Sequence, residues 1–256
     1  MSPHTVRTLI RYLQPNVWRR FRSGTKAVEH ADPKVLTTIT QLRGIVGPVG
    51  EKVANKTIDH IDGICATFIA ASPYLILATR GQDGLLDLSP KGDPAGFVAV
   101  LDRQTLAIPD RLGNGRFDSY ENLISDSALA LIFLIPGHSD TLRVAGHGHI
   151  TCNPTLLARY PVNGKEPRFV LVVKVREAFL HCAKSAVRAG LWRPDTWPNT
   201  SQVASLAQAM VAHGKLALGV DEMQEIIEKG SRKSPLLNSP AIANLVRAAQ
   251  SFDRLG

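Results

Sequence analysis

Leu85–Ser119 reads LLDLSPKGDPAGFVAVLDRQTLAIPDRLGNGRFDS: short apolar runs, with two clusters of small polar and basic residues behind them. The first cluster is Ser89-Pro90-Lys91-Gly92-Asp93. The second is Pro109-Asp110-Arg111-Leu112-Gly113-Asn114-Gly115-Arg116. The apolar runs are expected to be strands joined by a hairpin, which would bring the clusters within ~5 Å of each other. In the first strand Leu86 and Leu88 share one face and Asp87 and Ser89 the other, because strand side chains alternate. Ser89 is therefore expected at a strand end, facing away from the leucines. Hydroxyl, ammonium, guanidinium and glycine-exposed N–H groups together suit a phosphate ester. Either cluster alone reads as an ordinary Pro/Gly turn with solvated charges. The pair, each behind a strand, favours a ligand site.

The flanking sequence continues in strands. Tyr74–Thr79 is an apolar run, and Gly81-Gln82-Asp83-Gly84 is a turn of residues that tolerate positive φ. Phe97–Leu101 and Thr105–Pro109 form a further hairpin, turning at Asp102-Arg103-Gln104. Ala128–Ile135 and Thr141–Ile150 follow, and Arg168–His181 is the longest strand expected. Phe169–Val173 is apolar on both faces, as a central strand should be. Helices are expected at Thr38–Ile45 and at 56–71, where Ile58, Ile61, Cys65 and Phe68 make one stripe. Asp118 and Glu121 suggest a capping box opening a short helix. Beyond Thr200 three helices are expected: Val203, Leu206, Ala207 and Met210 mark the first, Met223, Ile226 and Ile227 the second, and Ser239-Pro240 opens the third. The segment 229–235 reads as a linker. There is no βαβ rhythm and no G-x-G-x-x-G between a strand and a helix. Short, closely spaced strands with few helices point to a small barrel. The expected division is a basic appendage at 1–36, a barrel domain at 37–198 and a helical C-terminal extension at 199–256.

Composition sets outer limits. The 256 residues are 44% hydrophobic and 20% charged, the balance of a soluble globular protein. No run of 18 apolar residues is present, so no membrane partner is expected. The net charge is +8, with six basic residues and no acid before Glu29. No regular aromatic interleaving accompanies them, so a solvated tail is favoured over a nucleic-acid arm. Cys65, Cys152 and Cys182 are odd in number and widely spaced, which fits a reducing cytoplasm rather than disulfides or zinc.

No nucleophile or Walker motif occurs. A phosphate cradle without such residues suits a protein whose chemistry belongs to a cofactor. His147 and His149 form a strand H-x-H, but no third metal ligand can be assigned, so no metal is expected. Asp59, His60 and Asp62 read as a solvated helix face. Lys184 and Arg188 give a short helix a basic face.

The segments LATR-x-x-DG-x-x-D-x-SPKGDPAGF, TLAIPDRLGNGRFDSYENL, LIFLIPG with TLRVAGHGHI, and EAFLHCAKSAVRAGLW resemble the pyridoxamine 5′-phosphate oxidase-like superfamily. More narrowly they resemble a bacterial subgroup of FMN-dependent enzymes, over roughly Ile39 to Pro198. The resemblance implies a mainly β fold with flanking helices (α+β), an FMN-binding split β-barrel of Greek-key type. It implies a homodimer with FMN between subunits and an oxidoreductase acting on a small-molecule substrate. By position, Ser89 and Lys91 match the first phosphate-contacting strand end, and Asn114 and Arg116 the second. Ile108, Pro109 and Asp110 would lie along the flavin ring, with Lys184 and Arg188 reaching the partner's site. A flavin-sequestering protein and a deazaflavin user are the alternatives. The family's Trp- and Arg-containing tail has no counterpart, because Trp192-Arg193-Pro194 is internal. Vitamin B6 oxidation is therefore not implied.

Overall fold

Alternate burial along short strands builds the sheet of the larger unit. A computed structural model describes residues 35–232; the appendage expected at 1–36, but for its last two residues, and the third C-terminal helix lie outside them. The described residues fall into two units, one ending at Gly50 and the other starting at Glu51. The first holds helix α1 (Ile39–Val46), where the sequence places it. Thr38 and Gln41 close its N-terminus with a reciprocal capping box.

The second unit opens with a single turn, α2 (Glu51–Ala54), and helix α3 (Gly63–Ala71). The expected helix at 56–71 therefore begins seven residues late. Asp62 accepts the Cys65 N–H at 2.8 Å and caps α3. Ile58, upstream of the cap, is extended and bridges Ala178. Its stripe is real, since Ile61, Cys65 and Phe68 are buried. A 3–4 spacing does not separate a helix from extended chain that also faces the core. Ser72, fully buried, ends α3 and donates to the Leu134 carbonyl at 2.7 Å.

The strands are β1 (Tyr74–Arg80), β2 (Leu86–Gly92), β3 (Ala99–Asp102), β4 (Thr105–Pro109), β5 (Ala128–Leu134), β6 (Thr141–Thr151) and β7 (Val170–His181). They form one seven-stranded sheet in the order β2-β1-β5-β6-β7-β4-β3, and every pairing is antiparallel. Helix α4 (Asp118–Ser125) crosses between β4 and β5. The remaining helices are α5 (Pro154–Leu157), α6 (Lys184–Arg188), α7 (Leu206–Gly214) and α8 (Val220–Arg232). Helix α8 runs through Lys229–Arg232, where a linker was expected: Met223 is buried and Glu225 pairs with Lys229 at 2.8 Å.

The architecture is α+β, a split barrel whose sheet does not close. Leu75, Leu77, Leu131, Phe133, Leu142, Val144, Leu171 and Val173 are at most 1% exposed and fill its interior. Each such side chain contributes about 1.5–3 kcal/mol by burial. Two glycines let β6 bend into place. A Cβ on Gly146 would run into the Lys174 carbonyl oxygen, at the bulge between β6 and β7. A Cβ on Gly148 would lie 2.6 Å from a Leu129 methyl.

The topology corrects one expectation. β2 and β4 are not hairpin partners; β2 is one edge of the sheet, and the hairpin is β3–β4 at the other end. Nor is Ser89-Pro90-Lys91 a turn, since all three lie within β2, opposite Leu77, Ile76 and Leu75. Pro90 is tolerated because an edge strand leaves one side of the ladder unpaired. The two clusters meet across the open seam of the barrel.

Candidate functional site

Exposure alternates along β2, with Leu86 (72%) and Leu88 (67%) turned outward. Asp87, Ser89 and Lys91 face inward and line a cleft of about 520 Å³. The strand is thus amphipathic in the reverse of the usual sense, its polar side turned in. Across the seam the cleft is walled by Pro109–Phe117, by the first residues of α4 and by Arg168.

Lys91 Nζ donates to Ser89 Oγ at 2.9 Å and lies 4.8 Å from the centre of the Tyr120 ring. Burial lowers its pKa, and the carboxylates of Asp110 and Asp87 partly oppose this. Tyr120 is buried against Phe169, with ring centres 4.7 Å apart. Its phenol is pushed up by burial and, less, by Asp110. Ser119 Oγ donates to Asp87 Oδ2 at 2.6 Å and ties α4 to β2.

Asp110 is 5% exposed. Its Oδ2 accepts from Arg168 Nε at 2.8 Å and lies 2.7 Å from Nη2 in the same ion pair. Burial raises its pKa, with Arg168, Lys91 and Arg111 pulling the other way. Arg111 lines the cleft but its guanidinium is committed to other partners. Its Nε donates to Asp93 Oδ2 at 2.5 Å and its Nη1 to the Tyr160 carbonyl at 3.1 Å. One side chain thereby joins the end of β4 to the chain after β2 and to the β6–β7 connection.

The glycine loop is shaped locally. Asn114 Oδ1 accepts the Arg116 N–H at 3.1 Å, and Gly115 takes φ +75°, open to a residue without Cβ. Arg116 pairs with Asp118 and remains 57% exposed. The capping box expected of Asp118 and Glu121 does not form. Phe117 is the N-cap, left-handed at φ 59° and without a side-chain bond, so Asp118 is already the first helical residue. Its carboxylate goes to Arg116.

Of the residues singled out from sequence, the structure brings Ser89, Lys91, Pro109, Asp110, Asn114 and Arg116 to one cleft. Ile108 is 2% exposed in the core behind β4 and does not line it. Lys184 and Arg188 lie on α6, after β7, and do not line it either. His147 is exposed and bonds Ser127 Oγ through Nδ1 at 3.1 Å, while His149 opens onto a separate hollow with Arg159. Sequence reasoning missed Asp87, Arg168, Tyr120, Phe117 and the Arg111–Asp93 pair. Asp87 was legible from its parity with Ser89. Arg168 was not, because it stands 58 positions from Asp110 and reaches it only through the β4–β7 ladder, where Pro109 faces Val170.

No curated protein matches the chain. Among solved structures, tagged HupZ of Group A Streptococcus is 14% identical, with a TM-score of 0.39 over 47% of this chain and 93% of that one. An FMN-binding protein of Syntrophomonas wolfei is 13% identical, with a TM-score of 0.36 over 45% and 81%. A Clostridium acetobutylicum protein related to general stress protein 26 is 12% identical, with a TM-score of 0.35 over 45% and 83%. The family model described as pyridoxamine 5′-phosphate oxidase matches residues 61–182. That stretch carries all seven strands and the whole lining of the cleft, and over it the chain resembles the pyridoxamine 5′-phosphate oxidase family.

Proposed function

We propose that the cleft binds FMN, and that the protein is a homodimeric FMN-dependent oxidoreductase acting on a small molecule. The observation that carries the reading is the state of the cleft's cations. Arg111, Arg116 and Arg168 each pair with a carboxylate, Asp93, Asp118 and Asp110 respectively. Lys91 has only a hydroxyl and a ring face, and no carboxylate within ion-pair distance among the described residues. A partly buried ammonium in that state favours an anionic ligand.

The donor set fits a phosphate monoester. Lys91 and Ser89 would hold it from β2, and Asn114, Arg116 and the N–H groups around Gly113 and Gly115 from the facing loop. A volume near 520 Å³ is within the ~300–1,000 Å³ typical of cofactor and ligand pockets. Pro109 and Asp110 are the proposed neighbours of the ring. FMN supplies hydride or single-electron transfer; these residues bind it, orient it and neutralise its charge. Lys184 and Arg188 remain proposed contributors from the partner subunit.

The dimer reading is supported by the outward leucines. Leu86 and Leu88 on the edge strand β2 are 72% and 67% exposed, and Leu85 just ahead of it 62%, more apolar surface than an edge facing water ordinarily carries. Among the described residues no helix is long and apolar enough to cross a membrane. A cytoplasmic setting is supported by three unpaired cysteines.

The test is a fluorescence titration of the purified protein with FMN and, separately, riboflavin. Saturable binding of FMN, tighter than riboflavin, is expected, and a protein indifferent to FMN would overturn the reading. Bleaching of the bound flavin by NADH or NADPH then separates turnover from storage.

A further inference from the structure

We propose that the cleft has a second anion subsite, at the free edge of Arg168, and that the small molecule taken there carries a carboxylate or phosphate. The inference rests on the flavin reading only in assigning the Lys91 end to FMN.

A guanidinium presents five N–H donors in two usable forks, one along Nε and Nη2 and one across the two Nη atoms. In Arg168 the first fork is spent, since Nε and Nη2 both reach Asp110 Oδ2, at 2.8 and 2.7 Å. The second fork is left over, and no partner is assigned to Nη1 among the described residues. The group is nonetheless held in one orientation. Asp110, 5% exposed, anchors its edge, and its carbon lies 4.7 Å from the centre of the Phe117 ring. Phe117 is itself fixed, in a left-handed conformation, against Tyr120 and Phe169.

A side chain pinned in this way has already lost its rotamer freedom, so an arriving anion does not bear that cost. It is also 51% exposed and lines the cleft, so the remaining fork is accessible. A planar fork of two N–H groups matches two oxygens of a carboxylate or phosphate, which a lysine ammonium does not reproduce. Arg116 differs on each count: it lies on the glycine loop, its acid partner is two residues away, and no aromatic ring among the described residues holds it.

The experiment follows the Arg168 Nε–H resonance of the nitrogen-15-labelled full chain, assigned by its loss in Arg168→Lys, during titration with benzoate, benzamide and inorganic phosphate. Each titration is run with and without FMN. Saturable shifts with benzoate or phosphate but not benzamide are expected, and the anion that binds more tightly identifies the class. Arg168→Met should weaken that anion at least ~10-fold by calorimetry, as the loss of charge-assisted bonds implies. Arg168→Lys, which keeps the charge but not the fork, should recover only part. Equal binding of benzoate and benzamide, or anion binding by the FMN-loaded protein that survives Arg168→Met, would refute the subsite. So would competition between benzoate and FMN, because the two would then share one site. Anion binding at Arg168 in a protein that ignores FMN would retain the subsite and reject the flavin.

Discussion

Arg111→Met is the sharpest test of how the cleft is held together. Arg111 Nε lies 2.5 Å from Asp93 Oδ2, and the two side chains are 19% and 3% exposed. Asp93 Oδ1 is buried without a hydrogen-bond partner among the described residues, so the guanidinium is the main compensation for this carboxylate. Arg111 Nη1 also satisfies the Tyr160 carbonyl at 3.1 Å. Removing one member of a buried pair costs about 3–5 kcal/mol, because the other charge is stranded. Arg111 keeps some contact with water, which places the cost near the lower end, about 3 kcal/mol. For a domain of this size that lowers Tm by roughly 6–12 °C. Urea unfolding at neutral pH measures the loss. Asp93→Asn in the same background should restore part of it, giving a coupling above ~1 kcal/mol in the double-mutant cycle. A cost below ~1 kcal/mol, or strict additivity of the two changes, would show that the pair does not hold the seam.

Lys91→Met should weaken FMN by ~30- to 1000-fold, from the ~2–4 kcal/mol lost when a charged pair is truncated, and leave riboflavin unchanged in parallel titrations; equal losses would place Lys91 at the ring. Arg116→Ala should cost FMN less, about 10-fold or under, because Arg116 is 57% exposed and must leave Asp118 to bind; a larger loss than at Lys91 would reverse their order. Asp110→Asn should change the pH dependence of stability. Burial raises the Asp110 carboxyl above its ordinary 3.8, so its contribution is full below about 3.8 and is lost as pH rises through the folded value. Urea midpoints should therefore move in favour of the Asn variant as pH rises from there, and movement in favour of wild type would contradict the sign. Deleting residues 1–36 should leave FMN affinity intact by titration, and a folded truncation that no longer binds would make that segment part of the site.

The strands were legible because their burial alternates with period two: Leu75 and Leu77, Leu129, Leu131 and Phe133, Leu142 and Val144 all face the core. The same rule misleads at β2. Its leucines mark the outer face, and only the cluster of Asp87, Ser89 and Lys91 signals that the polar side is the inner one. Proximity of the two clusters was legible, but its cause was not. Neighbours in sequence were taken for neighbours in the sheet, whereas β2 and β4 approach because the sheet curls. Arg168 and the Arg111–Asp93 pair depend on contacts between distant segments, which local patterns do not carry. Phe117 took the cap from Asp118 because a left-handed residue before the helix shifts the register by one.

The open seam has a mechanical consequence. Between β2 and the lip that follows β4 there is no ladder, only side-chain ties such as Arg111 to Asp93 and Ser119 to Asp87. The two lips can therefore part without breaking one backbone bond of the sheet, much as a spring clip opens. The work of opening is the work of releasing a few side chains, while β1, β5, β6 and β7 remain paired. A ligand gripping both lips would replace the absent ladder, so its residence time and the stiffness of the clip should rise and fall together. Amide exchange offers the signature: ligand should slow exchange at 110–119 and along β2, and leave the already protected β6–β7 pair as it was. Slowing spread evenly over the sheet would mean that the barrel opens as a whole.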